Sequence, residues 1–182
     1  TIGGNIGVHS QAGSSGKIIF NIAEGKTLTL KGKFDGAVYS GQPTPSMQVT
    51  GEGTLKLENA NTYNGTTVDA GAKIEVANAS ALPGAITNNG TITYTIDATP
   101  TNALSGEGVT GVDAATLNML SANLDGYTGT FAVANNGTLI LPAGKEAGVT
   151  VAAGSTLKLN LTDDQLKAPY ENKATVDGGS IV

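Results

Sequence analysis

The fold of this chain is decided by residues 51–76, which read GEGTLKLENANTYNGTTVDAGAKIEV. Within that stretch, residues 54–57 and 73–76 alternate between polar and apolar side chains, which is typical of β-strands with one buried face. A glycine, Gly53 or Gly71, stands shortly before each alternating segment. Glycine suits a turn that needs positive φ. The stretch therefore predicts short strands that follow glycine turns.

The unit of a glycine and a short alternating strand occurs six times, with its glycine at residues 25, 53, 71, 90, 137 and 154. The glycines at 53, 71 and 90 lie 71 − 53 = 18 and 90 − 71 = 19 residues apart, and those at 137 and 154 lie 17 apart. These intervals exceed the spacing of hairpins and match one winding of a solenoid. A longer repeat agrees, because residues 106–108 repeat GEG and residues 116–123 and 127–130 align with 54–61 and 63–66.

The composition fits windings that stack and share one narrow core. The 182 residues include 26 glycines and only 4% aromatic residues, while 39% are hydrophobic, so the core would be built from Val, Ile, Leu, Ala and Thr. Equivalent Asn or Thr residues of neighbouring windings are expected to form hydrogen-bonded ladders. We expect an all-β chain with one solenoid domain over residues 1–182.

Charge and cysteine content exclude several functions. Ten lysines, no arginine and fifteen acidic residues give 10 − 15 = −5, which argues against a nucleic-acid partner. The absence of cysteine excludes disulfides and zinc–thiolate sites. No apolar run is long enough for a membrane-spanning helix. Because the chain begins at Thr1 without a leader, we interpret it as a processed or excised piece of a larger protein.

Three segments fit the repeat poorly. Prolines and glycines predict loops over residues 40–46 and 97–112, and residues 162–182 are expected to form a polar tail or capping region. Between the second loop and the next repeat, a strand from Thr116 is favoured over a short helix capped by Asp113.

Residues 51–71 resemble the autotransporter-associated β-strand repeat, which runs roughly G-x-G-T-L-x-L, then A-N-T-Y-x-G-x-T, then V-x-x-G. The resemblance extends to residue 92, and a degenerate second copy spans residues 106–141. It implies a right-handed parallel β-helix in the passenger region of a type V secreted protein, outside the cell or on the bacterial outer membrane. It implies no particular ligand.

We therefore expect a non-catalytic structural or adhesive passenger segment of a secreted or surface-displayed bacterial protein. Such a stiff rod would present loops or assemble in a surface layer or filament, by head-to-tail or side-by-side self-association. The other expected partner is a glycan or a protein of the host or matrix. Aromatic side chains that could contact it are scarce, and the candidates are Tyr39, Tyr63, Tyr127 and Tyr170. The alternative is a carbohydrate-active β-helix enzyme, either a polysaccharide lyase or a hydrolase.

Candidate catalytic groups are few. His9, the only histidine, is near Ser10, Ser14 and Ser15, but no G-x-S-x-G motif accompanies it, so it is interpreted as an exposed turn residue. Glycoside hydrolysis needs two carboxylates across a cleft, and lyases commonly add basic residues. The carboxylate pairs to consider are Glu52 with Glu107, Asp69 with Glu75, and Asp163 with Asp164. Solvated edges of the windings are the favoured interpretation, so we predict no enzyme activity and no catalytic residue.

Short motifs do not change this expectation. Residues 106–111 satisfy G-x-G-x-x-G, but no strand–helix unit surrounds them, so a solenoid turn is favoured over a nucleotide loop. The calcium-binding nonapeptide is absent, and residues 177–179 (DGG) are only a turn signal. Asn-Gly-Thr at residues 64–66, 89–91 and 136–138 is interpreted as turns. Threonine pairs at 27/29 and along 91–95 raise an ice-binding hypothesis, which Lys56 and Glu75 disfavour. We predict neither a cofactor nor a metal site.

Overall fold

The computed structural model describes residues 1–9, 16–37, 44–161 and 175–182. In this part of the chain the protein is all-β without a helix, and parallel strands stack into a single rod-like β-solenoid. Its strands are β1 (Ile6–His9), β2 (Lys17–Ile22), β3 (Thr27–Leu30), β4 (Phe34–Ala37), β5 (Ser46–Gly51), β6 (Thr54–Leu57), β7 (Thr66–Val68), β8 (Lys73–Val76), β9 (Ile86–Asn88), β10 (Thr91–Tyr94), β11 (Leu104–Ser105), β12 (Val109–Asp113), β13 (Thr116–Asn118), β14 (Thr130–Ala134), β15 (Thr138–Pro142), β16 (Thr150–Val151), β17 (Thr156–Asn160), β18 (Thr175–Val176) and β19 (Ser180–Ile181).

Successive windings build three main parallel sheets. The long sheet has eight strands in the order β3-β6-β8-β10-β12-β14-β16-β18, the middle sheet runs β2-β5-β7-β9-β11, and the C-terminal sheet runs β13-β15-β17-β19. A fourth sheet has only two strands, β1 and β4. Seven steps of about 4.8 Å make the long sheet about 34 Å deep along the rod axis. The prediction of parallel stacked windings is confirmed.

The interior is made of like residues stacked in register. In the long sheet Ile74 pairs with Leu55 and Ile92, and all three side chains are at most 1% exposed. Burying each such side chain contributes about 2 kcal/mol, so the alternating pattern itself specifies which face turns inward. The C-terminal sheet repeats the arrangement with a column of leucines at residues 117, 139 and 157.

All six strands that follow a repeat glycine are present, but they do not share one face. The four after residues 25, 53, 71 and 90 are in the long sheet, whereas those after 137 and 154 are in the C-terminal sheet. The long repeat shows the same displacement. In register, Thr54 corresponds to Lys73, Thr91 and then Val109, whereas its sequence counterpart Thr116 begins β13 of another sheet. The aligned residues 54–61 and 116–123 are therefore not structurally equivalent.

The repeat glycines have two different structural causes. Gly71 adopts φ 84°, as a turn with positive φ requires. Gly90 does not adopt positive φ, but a Cβ there would be 2.5 Å from the carbonyl oxygen of Asp69 in the preceding winding. The prediction of positive φ therefore holds for Gly71 but not for Gly90, where close approach of two backbones excludes a side chain.

The irregular segments differ from expectation. The loop prediction for residues 97–112 is wrong from residue 104 onward, because β11 and most of β12 lie there and pair with β9 and β10. The strand from Thr116 is confirmed. Residues 40–43 of the first predicted loop and 162–174 of the predicted tail lie outside the described residues. The final residues 175–182 add β18 and β19 to the long and C-terminal sheets, so they continue the solenoid.

Candidate functional site

Glu52 and Glu107 occupy equivalent corners, after β5 and after β11, but in windings that are far apart. The register of the long sheet places three steps between them, from Thr54 through Lys73 and Thr91 to Val109. Three steps of about 4.8 Å amount to about 14 Å. Glycosidases hold their two carboxyl groups about 5–9.5 Å apart, so this pair is not arranged for glycoside hydrolysis.

Asp69 and Glu75 are engaged separately. Asp69 follows β7 of the middle sheet and accepts a hydrogen bond of 2.7 Å from the side-chain amide of Gln48. Glu75 lies in β8 of the long sheet, with its carboxylate 2.8 Å from the Nζ of Lys56. The two carboxylates therefore do not share a site. Asp163 and Asp164 lie outside the described residues.

The structure does not test the serine–histidine candidates. His9 ends β1, whereas Ser10, Ser14 and Ser15 lie outside the described residues. Across the ranges that the structure describes, no three His, Cys, Asp or Glu side chains group closely enough to hold a metal ion.

The clearest charged feature is a ladder of ion pairs across three windings of the long sheet's outer surface. Lys56 lies 2.8 Å from Glu75 in the next winding and 3.8 Å from Glu58, which is 4.0 Å from Lys31 in the preceding winding. The hydrogen bond that the Lys56 ammonium donates to the Glu75 carboxylate raises the pKa of Lys56. All four side chains are 30–59% exposed, so each pair contributes only a few tenths of a kcal/mol.

The repeat tyrosines are buried and hold windings together. The Tyr63 side chain is 3% exposed, its ring lies 4.8 Å from that of Phe34, and its hydroxyl donates to the carbonyl of Ala81 at 3.0 Å. The Tyr127 hydroxyl lies 2.7 Å from the carbonyl oxygen of Gly108 in the preceding winding. Burial raises the pKa of both hydroxyls.

Burial disfavours the prediction that Tyr63 and Tyr127 contact a ligand, because the two residues are only 3% and 8% exposed. Tyr127 does line a small hollow of about 210 Å³. A sequence signal for their actual role exists. Each tyrosine stands three residues before a strand-opening threonine, Thr66 or Thr130, whose oxygen lies within 3.0 Å of the tyrosine hydroxyl. Tyr39 and Tyr170 lie outside the described residues.

Two buried asparagines, Asn61 and Asn88, also hold windings together, although in the sequence they resemble ordinary turn residues. The carboxamide of Asn61 accepts from the backbone N–H of Phe34 and donates to the carbonyl of Ala81, both at 2.8 Å. It thereby connects the windings before and after its own. Where ladders of Asn or Thr were expected, the described residues show single hydroxyl pairs between neighbouring strands instead, at Thr87 with Ser105 and at Thr156 with Ser180.

A concave surface crosses several windings of the rod, and we call it the axial groove. It consists of two hollows of about 460 and 340 Å³ that share Ala79 and Thr99. The first is lined by Ser80, Pro83, Pro100, Thr101 and Asn102, among others, and the second by Asp97, Thr116, Asn118 and Ile140. The groove forms where residues 77–85 and 95–103 connect the long sheet to the middle sheet. These segments consist of turns and isolated bridges and contain none of the strands β1 to β19.

Two side chains tie the walls of the axial groove together. The Asn102 amide donates to the carbonyls of Leu82, at 2.9 Å, and of Gly84, in the preceding winding. The Asp97 carboxylate accepts a hydrogen bond of 2.7 Å from the backbone N–H of Thr116 in the next winding. Asp97 is the only ionisable group among the described residues that line the groove. A single carboxylate does not provide the pair of carboxyl groups that glycosidases use.

Comparison with known proteins adds no identification. No protein-family model, no curated protein and no solved structure matches this chain. In the part of the chain that the structure describes, no helix is long and apolar enough to cross a membrane.

Proposed function

We propose that this chain is a non-catalytic structural segment of a secreted or surface-displayed bacterial protein. The segment acts as a stiff spacer that carries exposed loops away from the cell or assembles with its own copies. The resemblance of residues 51–71 to the autotransporter-associated repeat supports the location, and the solenoid supports the mechanical role.

The observation that carries the mechanical role is the continuous eight-stranded parallel sheet. An internal winding such as β8 is hydrogen-bonded to β6 on one side and to β10 on the other. Its inward side chain Ile74 packs between Leu55 and Ile92. Opening that winding locally breaks both ladders and the apolar column together, so partial unfolding in the middle of the rod is costly. A spacer exposed to proteases and tension needs this property.

Limited proteolysis with a non-specific protease tests the mechanical role. We expect the region from β5 to β15 to stay intact in the native protein for hours, while the heat-denatured chain is degraded within minutes. Ile74→Asp places a charge in the core and should restore rapid cleavage, whereas the adjacent surface change Glu75→Gln should not. Cleavage of the native protein within residues 53–94 at the rate of the denatured chain would contradict the proposal.

Antibody labelling of the cells that encode the chain tests the location. We expect intact cells or the culture medium to be labelled without permeabilisation. Labelling that appears only after permeabilisation would contradict surface display while leaving the mechanical role standing.

The enzyme alternative has its own test. Incubation with neutral and uronate-containing polysaccharides, followed by measurement of new reducing ends and unsaturated uronates, should detect no cleavage. Cleavage that disappears in the variant Glu52→Gln or Glu107→Gln would replace the spacer by the carbohydrate-active enzyme.

A further inference from the structure

We propose that the axial groove binds a short stretch of an uncharged polysaccharide, lying along the rod axis, without cleaving it. This inference does not rest on the surface location or on the mechanical role. A rod that resists proteases can have an empty groove, and a groove that binds sugar can belong to a protein of any location.

The polar groups of the groove match an uncharged, hydroxyl-rich ligand. Ser80, Thr99 and Thr101 are exposed, and each presents a hydroxyl that both donates and accepts hydrogen bonds. No lysine lines the groove among the described residues, so an anionic chain would lose hydration without gaining a charged partner. The single carboxylate, Asp97, already accepts the Thr116 N–H, and one carboxylate does not define a cation site.

The apolar groups of the groove match the C–H faces of sugar rings. Pro83 and Pro100 line the first hollow, and Ile140 borders the second. Their interleaving with hydroxyl groups gives a surface that is neither wholly polar nor wholly apolar, as sugars are. Small-molecule sites combine apolar walls with a few placed polar groups in the same way, at volumes of about 300–1,000 Å³.

The groove is held in shape before any ligand arrives. Asn102 connects its turn to the carbonyls of Leu82 and Gly84, and the rings of the two prolines fix φ in both turns. A preformed site avoids part of the entropy that ordering a flexible loop would cost on binding.

The direction of the groove favours a chain over a single sugar. Its lining residues come from consecutive windings, from that of Asn61 to that of Ile140. Each step from one winding to the next is marked by a contact. These contacts are the hydrogen bonds of Asn61 with Ala81 and of Asn102 with Leu82, and the parallel pairings of Ala98 with Leu117 and of Leu117 with Leu139. Four steps of about 4.8 Å make a groove about 19 Å long, which is the scale of a linear oligosaccharide.

The test is NMR titration of the isotope-labelled protein with maltohexaose, cellohexaose and, as the anionic comparison, hexagalacturonate. We expect at least one neutral hexasaccharide to shift backbone amides of residues 79–84, 97–102 and 116–118, and hexagalacturonate to bind more weakly. No shift with either neutral probe at millimolar concentration, shifts confined to other surfaces, or tighter binding of hexagalacturonate would overturn the proposal.

A pair of matched variants locates the site. Thr99→Val with Thr101→Val removes two groove hydroxyls without changing side-chain shape and should raise the dissociation constant about tenfold. The control, Thr27→Val with Thr29→Val, makes the same change in β3 and should leave the dissociation constant unaltered. Equal affinities for the groove variant and the unmodified protein would refute the assignment, and unchanged amide spectra away from the substitutions would establish that both variants remain folded.

Discussion

Replacing Asn88 by alanine tests how much a buried carboxamide contributes to holding windings together. Asn88 is fully buried in β9, in register with Val68 of the preceding winding. Its Oδ1 accepts the backbone N–H of Gly90 at 3.1 Å. Its Nδ2 donates to the carbonyl of Val109 at 2.9 Å and lies 3.1 Å from the hydroxyl of Thr110, both in the next winding.

The expected loss of stability follows from those contacts. Each hydrogen bond contributes about 1 kcal/mol net, so the three account for about 3 kcal/mol. Small contributions from the residual cavity and from buried groups left without partners bring the total to about 3–4 kcal/mol. For a chain of this length, a shift of about 2–4 °C per kcal/mol predicts a fall in melting temperature of about 6–16 °C.

Urea unfolding followed by far-ultraviolet circular dichroism measures the change, and Asn89→Ala is the matched control. Asn89 is exposed, and the backbone N–H of Glu107 is 3.4 Å from its Oδ1, so its loss should cost less than about 0.5 kcal/mol. Asn88→Val separates the hydrogen bonds from the cavity, because it fills the site with the residue found at position 68. If Asn88→Ala and Asn89→Ala destabilise the protein equally, the buried carboxamide does not connect the windings in the way described.

Three further predictions concern the corners and the core. Gly108→Ala should destabilise the protein by more than about 2 kcal/mol in the same urea assay, because the new Cβ would be 2.8 Å from the backbone nitrogen of Gly90. The control Gly3→Ala should be neutral, because a Cβ at Gly3 would meet open space. Ser155→Ala should be neutral or stabilising by up to about 1 kcal/mol, since the buried Ser155 hydroxyl has no hydrogen-bond partner among the residues that the structure describes. A clear loss of stability would refute this. Burial raises the pKa of three tyrosine hydroxyls above the value in the unfolded chain, so stability is retained below about pH 10 and falls above it as unfolded tyrosines ionise. These tyrosines are Tyr63, Tyr94 and Tyr127. Their phenolate absorbance should therefore rise in one step, together with unfolding. Gradual ionisation of these residues in the native state would contradict the prediction.

Local pattern was sufficient to predict the strands because alternation is a local property. In segments such as residues 54–57 and 73–76, every second side chain must be apolar for one face to be buried, and the structure confirms strands at both. The parallel stacking was predictable from spacing, since windings of 17–19 residues are too long for hairpins.

The roles of individual polar residues were not predictable in the same way. Tyr63 and Asn61 look like turn residues in the sequence, and only the stacking of three windings turns them inward, against Phe34 and Ala81. The axial groove was missed for a related reason. Its walls, residues 79–84 and 97–102, are close only because consecutive windings align. The sequence predicted one of these walls, as part of a loop over residues 97–112, but that loop ends before β11 at residue 104.

The sequence by itself determined the repeating unit, a glycine corner followed by a short alternating strand, because backbone sterics and side-chain alternation act within a few residues. Only the tertiary structure decided which sheet each unit joins. The strand after Gly90 lies in the long sheet and the strand after Gly137 lies in the C-terminal sheet, although their local sequences are nearly the same. The physical reason is register. Each winding takes the position in which its backbone and apolar side chains match the winding already beneath it, and that match depends on every residue of the turn between them.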